Sequence, residues 1–284
     1  KPYSAIVFDE FVEVKIDGPN GDETIHCKLL CGADGAHSWV RRNFRMGNPR
    51  ETMIGFQIEV TGYNGDSGML DMYTGKNISP GFFSWAIPTG DTTRIGTWTK
   101  AELMNGLSSE QYLDKLLQDQ KINSRFSLCS EVARFCGPVP SGIVRKPLIE
   151  RVALFGDSAG VCKPTTGGGI GPGFNQVDLL VPRLSKSMEN NELSRGTMNS
   201  ISALLKEMAR NQRKKRALRD AFLTEMSDNE LERIFDVWAR PEVTDLINEF
   251  GDIENPIPLG IKMLREVPEF RRLAGRAAKA VLWG

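Results

Sequence analysis

The stretch FGDSAGVCKPTTGGGIGPGF, Phe155 to Phe174, follows the apolar run RVALF and holds seven glycines in twenty residues. A short apolar strand that ends in Gly156-Asp157 places a carboxylate at the carboxyl edge of a sheet, where open α/β folds bind their ligands. Asp157 can there accept hydrogen bonds from a ribose or ribityl hydroxyl. Gly160 and Pro164 fall in the connecting turn, and Gly167, Gly168 and Gly169 remove side chains where a backbone must pass close to a flat or charged ligand. The pattern predicts a helix from about Ile170. Its first N–H groups would favour negative charge, such as a pyrophosphate or the edge of a reduced flavin ring. Cys162 lies inside the loop; a packed thiol is its ordinary reading and a proton donor the alternative.

A second turn of the same kind stands about 120 residues upstream. CGADGAHSWVRR, Cys31 to Arg42, again puts a carboxylate, Asp34, beside a glycine, Gly35, at a strand end, with a helix expected from Ser38 to Arg42. By itself such a turn is a commonplace strand-to-helix connection. Its pairing with the Gly156-Asp157 turn, across a mainly β insert, raises its standing.

That insert contains MIGFQIEVTGY, GMLDMYTG, GFFSWAIPTG and TTRIGTWTK between Met53 and Lys100, separated by Gly, Pro, Asn and Asp, which reads as an antiparallel sheet. SSEQYLDKLLQDQ, Ser108 to Gln120, spaces Tyr112, Leu113, Leu116 and Leu117 on one helical face behind a capping-type serine. At the start, AIVFDEFVEV and TIHCKLLCGAD are expected to be the two strands of a hairpin around DGPNGDE. NQVDLLVPRLSKSMENN has helical spacing with Pro182 as an early kink or break. Beyond Ser194 the composition turns to Lys, Arg, Glu, Leu and Met, with helices expected over SISALLKEMARNQRKKRALRDAFLTEM, DNELERIFDVWAR and PEFRRLAGRAAKAVL. The basic run Arg210 to Arg219 is expected to be a solvated helix face, its alternative a contact for lipid phosphate or an anionic membrane.

The whole chain of 284 residues is balanced at 36 Lys plus Arg against 36 Asp plus Glu, so no long-range field gathers nucleic acid. Five cysteines with no CxxC pair argue against a disulfide framework, and alternation along ETIHCKLLCGAD disfavours a metal site at His26, Cys27 and Cys31; no metal is expected. Neither a membrane span nor a secretory signal is legible, and a cytoplasmic protein is expected.

GADGAHSWVRR and GDSAGVCKPTTGGGI together resemble the DG and GD motifs of flavoproteins with the para-hydroxybenzoate hydroxylase type of fold. The KPTTGGGI ending and PGFFSWAIPTGDTTRIGTW most resemble the geranylgeranyl reductases, notably archaeal enzymes that saturate the isoprenoid chains of membrane lipids. In that family an aromatic-x-Trp-x-aromatic-Pro block lines the substrate cavity; here it reads Phe83-Ser84-Trp85-Ala86-Ile87-Pro88, with Phe for the usual Tyr and Ile for the usual Phe. The resemblance covers about Cys31 to Asn175. It implies an α/β (mixed α+β) protein: parts of an FAD-binding domain at 1–45 and 141–192, an antiparallel substrate domain at 46–140 and a helical region at 193–284.

FAD is the implied cofactor. Asp157 falls at its ribose-phosphate region, Gly169 and Ile170 at the flavin ring, with Asp34, Gly35, Gly156, Gly160, Pro164, Gly167 and Gly168 around it. Phe83, Trp85 and Pro88 would line a prenyl pocket. Implied partners are a prenyl-lipid substrate, an electron donor (NAD(P)H or ferredoxin) and a peripheral membrane contact. The family also opens with a βαβ unit bearing GxGxxG. Lys1 to Gly35 carry none, so this sequence is expected to hold the flavin side of the site without the adenosine side. Two other readings stay open: an aromatic monooxygenase or halogenase of the same fold, and a non-catalytic lipid- or partner-binding remnant.

Overall fold

The computed structural model describes residues 1–252 and 257–271. They form a mixed α/β protein that divides into two compact units, Lys1–Ile54 with Gly137–Arg213, and Gly55–Cys136 with Lys214–Gly284.

The first unit opens with a three-stranded antiparallel meander, β1 (Pro2–Val7), β2 (Val12–Gly18) and β3 (Gly21–Cys27). The expected hairpin is therefore subdivided. AIVFDEFVEV breaks at Phe8 to Phe11, where the Phe8 N–H donates to the Phe11 carbonyl. TIHCKLLCGAD breaks after Cys27, and its end becomes β4 (Leu30–Gly32) of a different sheet. Arg151 bonds to the chain at both breaks. It is 3% exposed, and its guanidinium donates to the carbonyls of Asp9 and Lys28 and to Asn191 Oδ1. Removing it in Arg151→Ala leaves three acceptors without their donor, a loss of about 3 kcal/mol. Urea unfolding should show that fall in stability with an unchanged m-value.

β4 lies in a sheet of order β10-β11-β4, with β10 at Leu148–Ile149 and β11 at Val152–Leu154. Alternation along β11 divides the core. Ala153 packs with Leu148, Leu180, Leu184, Leu193 and Met198 on one face, while Val152 and Leu154 pack with Val40, Met46, Val144 and Val161 on the other. The first of these clusters draws on α3 (Ile170–Glu189) and α4 (Arg195–Ser202); the second draws on α1 (Trp39–Asn43). Pro182 does not break α3, which runs for 20 residues through it. Exposed at that position, the proline ring costs the helix one hydrogen bond while the buried Leu180 and Leu184 on either side hold it.

The strands β5 (Glu51–Thr61), β6 (Asp71–Tyr73), β7 (Ser84–Pro88), β8 (Thr93–Lys100) and β9 (Ser130–Ser141) form a sheet of order β6-β7-β8-β5-β9, which apart from Glu51–Ile54 and Gly137–Ser141 belongs to the second unit. β6, β7 and β8 pair antiparallel. One face carries Phe56, Ile58, Val60, Ala86 and Ile95 against Leu113 and Leu116 of α2 (Ser109–Leu117). α2 starts in a capping box in which the Ser108 hydroxyl accepts from the Gln111 N–H and the Gln111 side chain accepts from the Ser108 N–H.

The helices α6 (Asp228–Trp238), α7 (Pro241–Phe250), α8 (Ile257–Glu266) and α9 (Pro268–Arg271) close a separate core of Leu231, Ile234, Val237, Val243 and Phe270. Of these, α7 and α8 were not anticipated, and the remainder of the expected helix over PEFRRLAGRAAKAVL lies outside the described residues. Among the described residues no helix is long and apolar enough to cross a membrane. The basic run lies on α5 (Lys206–Arg219) and is not a uniform solvated face. Gln212 and Arg219 are buried, and Arg219 stacks over Phe82 at 5.4 Å while its guanidinium meets Asp220 at 2.7 Å.

Candidate cofactor site

The two glycine-aspartate turns meet because β4 and β11 are parallel neighbours, with Leu30 opposite Val152, Cys31 opposite Ala153 and Gly32 opposite Leu154. Parallel strands end at the same sheet edge, so the turn carrying Asp34 and Gly35 and the turn carrying Gly156 and Asp157 leave side by side. Gly32 permits the approach; a Cβ there would stand 2.7 Å from the Leu154 side chain and 2.9 Å from that of Val40. Ser158 fastens the junction, its hydroxyl donating to the Gly32 carbonyl.

Asp34 is used locally. Its carboxylate accepts from the Val40 N–H at 3.0 Å, and Ser38 caps α1 by accepting from the Arg41 N–H at 2.9 Å. Burial pushes the Asp34 carboxyl up, but hydrogen bonds from Ser38 and from backbone N–H groups outweigh it and hold it below the ordinary carboxylate value. Gly35 follows at φ +74°. A Cβ at Gly35 would meet nothing within 4 Å, and the same is true at Gly156, so both backbones border open space.

Arg41 links the two turns. Its guanidinium is buried and donates to the Ser158 carbonyl at 2.9 Å and to the Ala36 carbonyl at 2.7 Å, while Nε has no partner among the described residues. Burial lowers its pKa, and the nearby Asp34 charge opposes that shift. The sequence marked Arg41 only as a cation on a helix; its role depends on a contact 117 residues away.

Two glutamines were also missed. Gln176, fully buried on α3, accepts from the Gly156 N–H at 2.9 Å and donates to the Leu154 carbonyl at 2.9 Å. Gln212, on α5, accepts from the Ile143 N–H at 3.0 Å and donates to the carbonyls of Gly160 and Cys162, each at 3.1 Å. No local pattern distinguishes Gln212 inside a basic run, whereas Gln176 stands one turn beyond the glycine segment of a predicted helix.

The glycine segment itself closes into a turn. Gly160 is left-handed at φ +77°, and a Cβ on it would stand 2.7 Å from the Gly142 carbonyl oxygen. Pro164 is buried, and the Lys163 N–H donates to the Gly168 carbonyl at 2.9 Å while the Gly167 N–H returns to the Lys163 carbonyl at 2.9 Å. Gly169 is the N-cap of α3 with no side-chain cap, and Ile170 is 78% exposed. Pro172 contributes no N–H, so Ile170 and Gly171 present the donors of the first turn. Asp157 is half-buried; its Oδ1 receives the Cys162 thiol at 3.1 Å, and Oδ2 has no protein donor among the described residues.

This donor set fits FAD: open space over Gly35 and Gly156, an uncapped helix start, and a carboxylate oxygen left for a hydroxyl. Asp157 would hold a ribose or ribityl hydroxyl, and the backbone at Gly169 and Ile170 would meet the ring.

Phe83 and Trp85 lie in the second unit, on the sheet face opposite α2. The buried Trp85 indole donates to Gln57 Oε1 at 3.2 Å and sits between Phe83, at 6.1 Å between ring centroids, and Trp98, at 5.2 Å. Gly55 and Gly96 underlie the indoles; a Cβ would stand 2.1 Å from Trp98 and 2.3 Å from Trp85 respectively. Pro88 ends β7 opposite Thr93 and, by alternation from Ala86, falls on the α2 side. The structure thus pairs Phe83 with Trp85 and sets Pro88 apart from them.

An FAD binding domain model matches residues 9–193. The chain is 24% identical over 220 residues to a digeranylgeranylglycerophospholipid reductase of Methanocaldococcus jannaschii, covering 75% of this chain and 56% of that protein, so it spans little over half of that relative's length. A geranylgeranyl bacteriochlorophyll reductase-like protein of Thermoplasma acidophilum superposes with a TM-score of 0.80 at 19% identity, over 97% of this chain and 68% of the other. The flavin-dependent halogenase CmlS superposes with a TM-score of 0.65 at 11% identity, over 94% and 55%. These superpositions establish the fold.

Proposed function

The chain belongs to the FAD-binding domain family, and on that premise we propose that it serves an oxidoreductase that saturates the double bonds of geranylgeranyl chains in isoprenoid membrane lipids. The observation that carries the reading is the parallel pairing of β4 with β11, which gathers both glycine-aspartate turns at one sheet edge. Sequence similarity to a reductase of digeranylgeranyl lipids supports the substrate class.

When bound, FAD supplies the hydride equivalents that an alkene needs. The residues of this chain bind and orient. Asp157 would accept a cofactor hydroxyl and the first N–H groups of α3 would favour the electron-rich edge of the ring, while Arg41, Gln176 and Gln212 hold the turns still. An isolated double bond offers no polar handle, so its orientation depends on apolar surface from which water is excluded. Phe83, Trp85 and Trp98 supply a contiguous aromatic surface of that kind.

The test is a visible spectrum of the purified protein and FAD titration, followed by anaerobic incubation with chemical reductant and a geranylgeranyl lipid. Flavin bands, and lipid gaining one H2 per double bond by mass spectrometry, are the expected outcome. Asp157→Ala should raise the FAD dissociation constant about tenfold or more, the equivalent of a charged hydrogen bond. Oxygen consumption coupled to hydroxylation or halogenation of an aromatic compound, with the lipid unchanged, would overturn the reductase reading.

A further inference from the structure

Cys162 is 2% exposed and its backbone is fixed from two directions: its carbonyl accepts from the Ser141 hydroxyl at 2.8 Å and from Gln212 Nε2 at 3.1 Å. From that fixed point its thiol reaches Asp157 Oδ1 at 3.1 Å. Gly169 backs onto the same contact; a Cβ there would stand 3.1 Å from both Asp157 Oδ1 and Cys162 Sγ. Carboxylate, thiol and the N-cap of α3 are therefore packed as one group.

We infer that Cys162 is a positioning residue for the cofactor: its thiol holds one oxygen of Asp157 so that the other is presented to a hydroxyl of FAD. The inference rests on the reading of Asp157 given above. Burial, reinforced by the Asp157 carboxylate, drives the thiol pKa far up, so the sulfur keeps its proton and remains a donor. A thiolate beside Asp157 would repel the carboxylate it orients. The same geometry argues against Cys162 as the proton source for an alkene, since its proton is already committed to Asp157.

A residue that merely filled space would tolerate alanine better than serine, because serine buries a hydroxyl; a donor to Asp157 requires the reverse. FAD fluorescence titrations of the full chain and of Cys162→Ala, Cys162→Ser, Asp157→Ala and the Asp157→Ala/Cys162→Ala pair separate the two, with thermal unfolding of each measured alongside. Expected is a weakening of about fivefold to tenfold in Cys162→Ala. Affinity should return to within about twofold in Cys162→Ser, and the alanine change should have no further effect once Asp157 is gone. Equal weakening by alanine and serine, or additive effects in the pair, would overturn the role of the thiol while leaving Asp157 in place. Failure of the unaltered chain to bind FAD, or indifference of binding to Asp157→Ala, would overturn the reading of the site and the inference with it.

Discussion

Gly96→Val destabilises the second unit by about 2 kcal/mol and moves the emission of its tryptophans. The added Cβ would lie 2.3 Å from Trp85 Cζ2, 2.7 Å from Trp85 Cε2 and 2.9 Å from the Phe56 carbonyl oxygen. A flexible side chain could swing clear of the first two atoms, but Trp85 is wedged between Phe83 and Trp98 and tied to Gln57, and the Phe56 carbonyl is backbone. Overpacking of this kind costs about 1–3 kcal/mol. The lost indole hydrogen bond adds about 1 kcal/mol. Against them stands the β-propensity of valine over glycine, which spans at most about 1 kcal/mol. The clash wins. Urea unfolding followed by tryptophan fluorescence reads both stability and the displaced ring, and Gly137→Ala, where a Cβ meets nothing within 4 Å, should stay within about 0.5 kcal/mol of the original. An unmoved emission maximum and unchanged stability in Gly96→Val would show that Trp85 does not lie over this strand.

Arg41→Met has the opposite signature, a large effect on cofactor affinity with a small one on stability. The buried guanidinium meets two carbonyls, and among the described residues its Nε is unsatisfied and no ion pair within 4 Å offsets its desolvation, the Asp34 charge opposing it from farther away. Replacing such a charge by an apolar chain of similar length is often neutral for stability. What disappears is the tie between Ala36 in one turn and Ser158 in the other. FAD affinity should fall about tenfold or more, the scale of a lost charge-assisted contact, while the melting temperature shifts by only a few degrees. Arg41→Lys should lose nearly as much, since one ammonium lacks the fork that spans two carbonyls. A melting temperature that collapses in Arg41→Met, with affinity unchanged in the folded fraction, would make Arg41 a core residue with no bearing on the cofactor.

Much of the site is legible in local sequence. The strand before Gly156, the helix from Ile170 and the short helix after Ser38 each follow from a local cue: an apolar run cut by glycine, a glycine cluster ahead of periodic apolar residues, a serine cap. The subdivision of the expected hairpin falls at strand-poor residues, Asp9-Glu10 and Lys28, which the apolar residues on either side mask in a reading of the longer runs. Both breaks are held by Arg151, more than a hundred residues away in sequence. Pro182 reads locally as a breaker because the helical hydrogen bond it removes is a local loss, while the burial of Leu180 and Leu184 that outweighs it is not.

By itself the sequence determined the chemistry available at the two turns: glycines where a backbone must lie bare, a carboxylate at each strand end, and aromatic residues alternating along Phe83 to Trp85. Those are short-range properties, written in the residues that show them. Tertiary structure decided which of these groups cooperate. Parallel pairing of β4 with β11 joins turns about 120 residues apart, Arg41 bridges them, and Gln212 reaches from a helix whose own composition reads as solvent-facing. It also placed the Cys162 thiol on Asp157, and it set Pro88 on the opposite face of the sheet from Trp85. Hydrogen bonds between distant segments and the parity of a strand against its neighbours are properties of pairs, and no single stretch of sequence carries them.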